Sequence, residues 1–96
     1  MKPSEALHIH RAAIRQVVAA HRADNARVFG SVLQGNDTSN SDLDLLVDPS
    51  SETTLLDLGA IRHELRTLLG VQVDVVTPKA LPDTLRKSVL ATAVPV

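Results

Sequence analysis

Apolar positions along the chain fall into two periods, one near 3.6 residues and one near 2. Over residues 4–22, Leu7, Ile14, Val17, Val18 and His21 recur at near-helical spacing, with Arg11, Arg15 and Gln16 on other faces. This predicts a first helix capped by Ser4. His21 falls at its C-terminal end, where the helix dipole favours a cation. Asp24-Asn25 reads as a turn, and residues 26–29 as a first strand. After a polar loop, Leu43, Leu45, Leu46 and Val47 form a short apolar run that reads as a buried strand. Asp48-Pro49-Ser50-Ser51 ends it, because proline cannot donate to a sheet. A second helix is predicted over residues 54–69, capped by Ser51 or Thr53. Its apolar face is Leu55, Leu58, Ile61, Leu65, Leu68 and Leu69, and Gly70 is its C-terminal stop. His63 and Glu64 lie off that stripe, on a solvated face. Residues 71–76 are rich in β-branched side chains and read as a third strand. Pro82-Asp83 opens a last helix with Leu81, Leu85, Val89 and Leu90 apolar, followed by a short apolar tail. The order helix, strand, helical loop, strand, helix, strand, helix is that of an α/β fold.

The chain has 96 residues, which predicts one domain with a modest core. One Phe and no Trp or Tyr make that core aliphatic, and they leave no stacking platform for single-stranded nucleic acid. A net charge of −1 gives no basic footprint, so direct nucleic-acid binding is not expected. The absence of cysteine excludes disulfides and thiolate zinc sites. No apolar run approaches the ~18 residues of a membrane span and no signal peptide is evident, so a cytoplasmic protein is expected. His8 and His10 are two residues apart on a helix and point to different sides, which makes them poor joint metal ligands.

Candidate chemistry concentrates between Phe29 and Asp48. Val28-Phe29 leads into Gly30-Ser31, then a polar loop with Gly35, then Ser41-Asp42-Leu43-Asp44 running into Leu45-Leu46-Val47. On a strand, Asp42 and Asp44 share a face, with Cα atoms roughly 6.6 Å apart at about 3.3 Å per residue. They repel each other, and no basic neighbour in sequence offsets them. A divalent cation answers this, since Mg²⁺ takes one or two carboxylates plus substrate phosphates. Gly30 permits a tight turn or a close approach. A helical turn opening after Ser31 would present free N–H groups to an anion such as phosphate. Asp74 lies in an otherwise apolar strand, where a charge must sit at the edge, be paired or coordinate something.

Gly30-Ser31, ten residues from Val32 to Ser41, then Asp42-Leu43-Asp44 with Leu45-Leu46-Val47 behind it resembles the minimal nucleotidyltransferase (MNT) domains of the DNA polymerase β-like superfamily. The resemblance implies a small mixed sheet with helices packed on it and the acidic residues at one sheet edge. It implies Mg²⁺ held by Asp42 and Asp44, with Gly30 and Ser31 seating the β- and γ-phosphates of ATP. Asp74, in Val-Asp-Val-Val, matches the third acidic position, as a general base or a further metal ligand. MNT proteins are similar to the antitoxins of HEPN–MNT toxin–antitoxin pairs. There the MNT partner binds a HEPN ribonuclease and attaches AMP to a Tyr, so a HEPN-type toxin is the expected partner. The chain has no room for an acceptor domain, so the acceptor is expected to be another protein. The apolar tail packs on the core or on a partner, which leaves homo- and hetero-oligomers open. One departure stands out. Many family members carry Arg between the Ser and the loop Gly, where this chain has Val32-Leu33-Gln34. A phosphate-pairing cation is therefore missing or comes from elsewhere. That motivates a second reading, a binding module that neutralises its partner by occlusion. An Asp-x-Asp sugar transferase is set aside, because the chain cannot hold a nucleotide-sugar fold.

Overall fold

Two strands run antiparallel and carry the motif between them. β1 (Ala23–Phe29) and β2 (Leu43–Pro49) are joined through the one-turn helix α3 (Ser31–Gln34) and the polar loop. A computed structural model describes residues 1–96. The β3 strand (Val73–Val76) lies parallel to β2, and the parallel pairing requires a crossover, which the helix α4 (Leu55–Leu69) supplies. A two-residue strand β4 (Val94–Pro95) pairs antiparallel with β1, giving the sheet order β3-β2-β1-β4. This is the expected α/β fold with a small mixed sheet. No helix is long and apolar enough to cross a membrane.

The core lies between the sheet and its helices. Leu43, Leu45 and Val47 alternate along β2 onto one face, where they meet Val28, Val73, Ile14, Val18, Ile61 and Leu65, all buried. Each such aliphatic side chain contributes about 1.5–3 kcal/mol on burial. Leu46, of opposite parity, is fully buried as well, where the 3₁₀ turn Pro78–Ala80 packs against β2. With Leu45, Leu46 and Val47 all enclosed, β2 is an inner strand buried on both faces, and Asp44 lies near its start.

Several element boundaries differ from the expectation. The first helix is two helices, α1 (Pro3–Ile9) and α2 (Arg11–Ala20), broken at His10, whose φ of −113° and ψ of 24° leave the helical region. The break lets Ala6 and Leu7 be buried together with Ile14 and Val18. Ser4 does not cap it. Lys2 occupies that position and Pro3 starts the helix, where its missing N–H and fixed φ fit. Asp24-Asn25 is not a turn: β1 starts at Ala23, pairs Asp24 with Asp48, and carries an irregularity before Arg27, with Asn25 at φ 51°. The turn falls earlier, at His21-Arg22. Thr54 caps α4, not Ser51 or Thr53, because its hydroxyl accepts from the Asp57 N–H while the Asp57 carboxylate accepts from the Thr54 N–H. Gly70 ends α4 in the left-handed region as expected. Leu55 and Leu68 do not join the buried stripe and remain exposed. The last helix, α5 (Asp83–Thr92), buries no residue, so its Leu85 and Leu90 face outward too. Arg86 ties its start to the carbonyls of Pro78, Lys79 and Leu81.

Candidate active site

Strand register brings the motif together. Phe29 of β1 pairs with Asp44 of β2, and Asp44 pairs with Asp74 of β3. The residue after Phe29 is Gly30, so the Gly-Ser pair lies beside the second carboxylate of Asp42-Leu43-Asp44. Gly30 adopts φ 77°, ψ −150°, a region open to glycine and strained for other residues. A Cβ built there would collide with the carboxylate of Asp44. Gly30 therefore serves both the turn and the close approach of Asp44. Ser31 opens the single turn of α3, which Gly35 closes in the left-handed conformation.

The loop back to β2 is tied to itself and to α1. Ser41 Oγ accepts from the Thr38 N–H at 2.8 Å, and the Ser41 N–H donates to the Thr38 carbonyl at 3.0 Å. The buried Asp37 accepts from the Ser4 N–H at 2.9 Å. That backbone hydrogen bond is the main reason its carboxyl is held below the usual carboxylate range. Thus Ser4, expected as a cap, instead donates its N–H to an anchor for the loop. The sequence carries no local signal for that contact, because the two residues are 33 apart.

Asp42 is exposed just before β2, Asp44 is half-buried, and Asp74 is exposed on the edge strand β3. Burial, then the charge of Asp74, then that of Asp42 push the Asp44 carboxyl up to about 6. None of the five ion pairs in the chain involves these three residues. Arg27, on the strand β1 that pairs with β2, is committed to Asp48. The α3 turn, Ser31-Val32-Leu33-Gln34, offers no positive side chain. The three carboxylates are register neighbours rather than a closed cage, and no group of three His, Cys, Asp or Glu side chains in the chain converges to ligand distance. Their hard oxygen donors, mutual repulsion and lack of an internal counter-ion fit the chemistry of a divalent cation. Asp42, Asp44 and Asp74 are the residues that could hold one. His8 and His10 take no part, since they lie on α1 and at the break after it.

A family model described as nucleotidyltransferase domain matches residues 11–95. The chain belongs to the nucleotidyltransferase family. This nucleotidyltransferase is similar to the protein adenylyltransferase MntA of Thermococcus cleftensis, at 32% identity over 80% of this chain and 86% of the relative. A solved structure of a candidate minimal nucleotidyltransferase superposes with a TM-score of 0.86 at 43% identity, covering 97% of this chain and 95% of that one. A toxin–antitoxin structure solved with AMP-PNP has a TM-score of 0.74 at 21% identity, covering 88% of this chain and 69% of that one, a likeness of fold.

Proposed function

We propose that this nucleotidyltransferase is a protein adenylyltransferase that moves AMP from ATP to a hydroxyl of a partner protein, a Tyr of a HEPN-type ribonuclease toxin, and so acts as its antitoxin. The observation that carries the reading is the seating of the Asp44 carboxylate on Gly30 with Asp74 opposite it in register. A Gly-Ser turn beside an acidic cluster supports a reading in which the turn takes phosphate and the carboxylates take a metal. The name of the Thermococcus relative supports protein adenylylation, and the AMP-PNP in the toxin–antitoxin structure supports ATP and a toxin partner.

In this reading Gly30 and Ser31 seat the β- and γ-phosphates with backbone N–H groups. Asp42 and Asp44 hold Mg²⁺, with Asp74 as a further ligand or as the base. Bound Mg²⁺ supplies charge neutralisation on the attacking and leaving oxygens. Asp74, exposed on the edge strand, takes the proton of the acceptor hydroxyl. The acceptor oxygen bonds to the α-phosphorus, the bond from that phosphorus to the β-phosphate oxygen breaks, and pyrophosphate leaves. The lack of a cation in α3 favours the second reading, occlusion without chemistry.

Intact mass of the partner after co-expression separates the two. Adenylyl transfer predicts a gain of one or more AMP units that Asp42→Asn/Asp44→Asn abolishes. An unmodified partner in a tight complex makes this chain a binding module.

A further inference from the structure

A cavity of about 290 Å³ opens between α4 and the edge strand β3. Leu55, Leu58, Gly59 and Arg62 line it from the helix, and Asp74 and Val76 from the strand. Gly59 and Arg62 also border a shallower hollow with His63 and Arg66. The two depressions share a wall, so α4 presents one continuous strip. It is apolar at Leu55, open at Gly59 and basic at Arg62 and Arg66, and it adjoins Asp74.

Contacts within the chain account for little of the strip: Arg66 Nε donates to the Val73 carbonyl at 3.2 Å, and Leu58 packs partly on the core. Leu55 and its neighbour Leu56 are each 86% exposed, a wet apolar surface beside the acidic site. Gly59 stands in the interior of α4, where glycine is the least favourable residue after proline. A Cβ at that point would meet nothing within 4 Å, so packing does not require glycine there. A position without a side chain lets a second backbone come close. Arg62 enters no ion pair, and the hollow it shares with Arg66 contains no carboxylate.

We propose that this strip docks the acceptor-bearing segment of the partner protein, a proposal that rests on the adenylyl-transfer reading. An apolar side chain of the segment sits against Leu55 and Leu58, its backbone crosses Gly59, and acidic residues meet Arg62 and Arg66. Arg62 lines the same cavity as Asp74, so the basic part of the strip is the part beside the site, where it offsets the repulsion that Asp42, Asp44 and Asp74 exert on an acidic segment. The cavity lies at the floor of the roughly 300–1,000 Å³ range of small-ligand pockets, a size for a side chain rather than a second nucleotide. Continuity with Asp74 places a hydroxyl carried by the same segment next to the proposed base.

Two variants outside the catalytic machinery test this. Gly59→Leu fills the strip from a position where a Cβ meets nothing within 4 Å, and Arg62→Glu reverses its charge. Each is compared with the wild type for melting temperature, Mg²⁺–ATP binding, affinity for the co-expressed partner, and the KM and kcat of AMP transfer to it. The expected result is a melting temperature unchanged or raised, wild-type ATP binding, kcat little changed, and a KM and Kd for the partner weaker by about tenfold or more. Wild-type KM and Kd in both variants overturn the proposal. So does a wild-type dimer that Gly59→Leu splits, since a second copy then covers the strip. If the wild type transfers no AMP, the catalytic reading fails separately. Docking is then decided by Kd alone: loss in both variants upholds it, and equal affinity overturns it. A partner that neither binds nor is labelled overturns both.

Discussion

Asp44 sits where an ionised carboxylate is costly: half-buried on Gly30, with Asp74 opposite and Asp42 two residues before it. Its carboxyl is raised from 3.8 to about 6, chiefly by burial. The folded chain therefore holds that proton more tightly than the unfolded chain does. The stabilisation is full below pH 3.8 and is lost as pH rises through about 6, because the group must then ionise in an unfavourable place. Asp37 and Asp57 run the other way. Both are lowered, mainly by backbone N–H groups of Ser4 and Thr54, so their contribution is lost on acidification. Asp44→Asn isolates the first effect, because Asp37 and Asp57 are common to both proteins. In the absence of divalent cations, the variant is expected to melt above the wild type near pH 8, with the gain shrinking toward pH 4. Thermal melts across that range check it, and a difference that stays constant with pH would show that Asp44 carries no such penalty.

Elements were legible from sequence where their signals are local, and misread where they are not. Gly70 as a stop, β2 from its apolar run and the helical turn after Ser31 all follow from chemistry within a few residues. The break at His10 follows instead from what α1 and α2 must each bury, and the irregularity at Asn25 follows from pairing with Asp48. The Leu55 stripe failed for a similar reason. Spacing marks a face, but only the sheet edge decides how far along α4 that face is covered, and Leu55 lies beyond it. At the site, Asp-x-Asp at the start of β2 was readable from spacing, though Asp42 falls just before the strand, whereas the apposition of Asp74 is a matter of register, and only the family resemblance pointed to it. The cap of α4 shows how narrow a boundary error can be. Thr54 and Asp57 form a reciprocal box, and Arg22 adds a guanidinium at 3.3 Å from the Asp57 carboxylate. Thr54→Ala removes one half of that box and is expected to cost about 1 kcal/mol. For a domain of this size that lowers the melting temperature by roughly 4–8 °C. A calorimetric scan checks it, and Thr53→Ala, which removes only a surface hydroxyl bonded to the Arg22 carbonyl and the Ser50 N–H, is expected to cost less.

At the scale of the molecule, a chain of 96 residues with net charge −1 concentrates three uncompensated carboxylates, its acidic edge, at the start of the inner strand β2 and on the edge strand β3 beside it. Three of its seven Arg residues are spent on other carboxylates: Arg22 on Asp57, Arg27 on Asp48, Arg86 on Asp83. The fold thus tolerates repulsion at a place where a bound cation and polyphosphate would relieve it. This gives a thermodynamic signature that does not depend on knowing the acceptor. A ligand that binds only the folded state stabilises it by about 2.7 kcal/mol at a hundredfold excess over Kd, on the order of ten degrees in melting temperature here. Neither component alone should supply this. ATP alone brings more negative charge to the acidic edge, and Mg²⁺ alone lacks the phosphates that complete its coordination. Mg²⁺ with ATP is therefore expected to raise the melting temperature by more than the sum of the separate effects. The rise should vanish in Asp42→Asn/Asp44→Asn, whose acidic edge no longer needs a counter-ion. A wild-type chain indifferent to the combination would leave the acidic edge without a nucleotide partner, and binding of the partner protein as its remaining work.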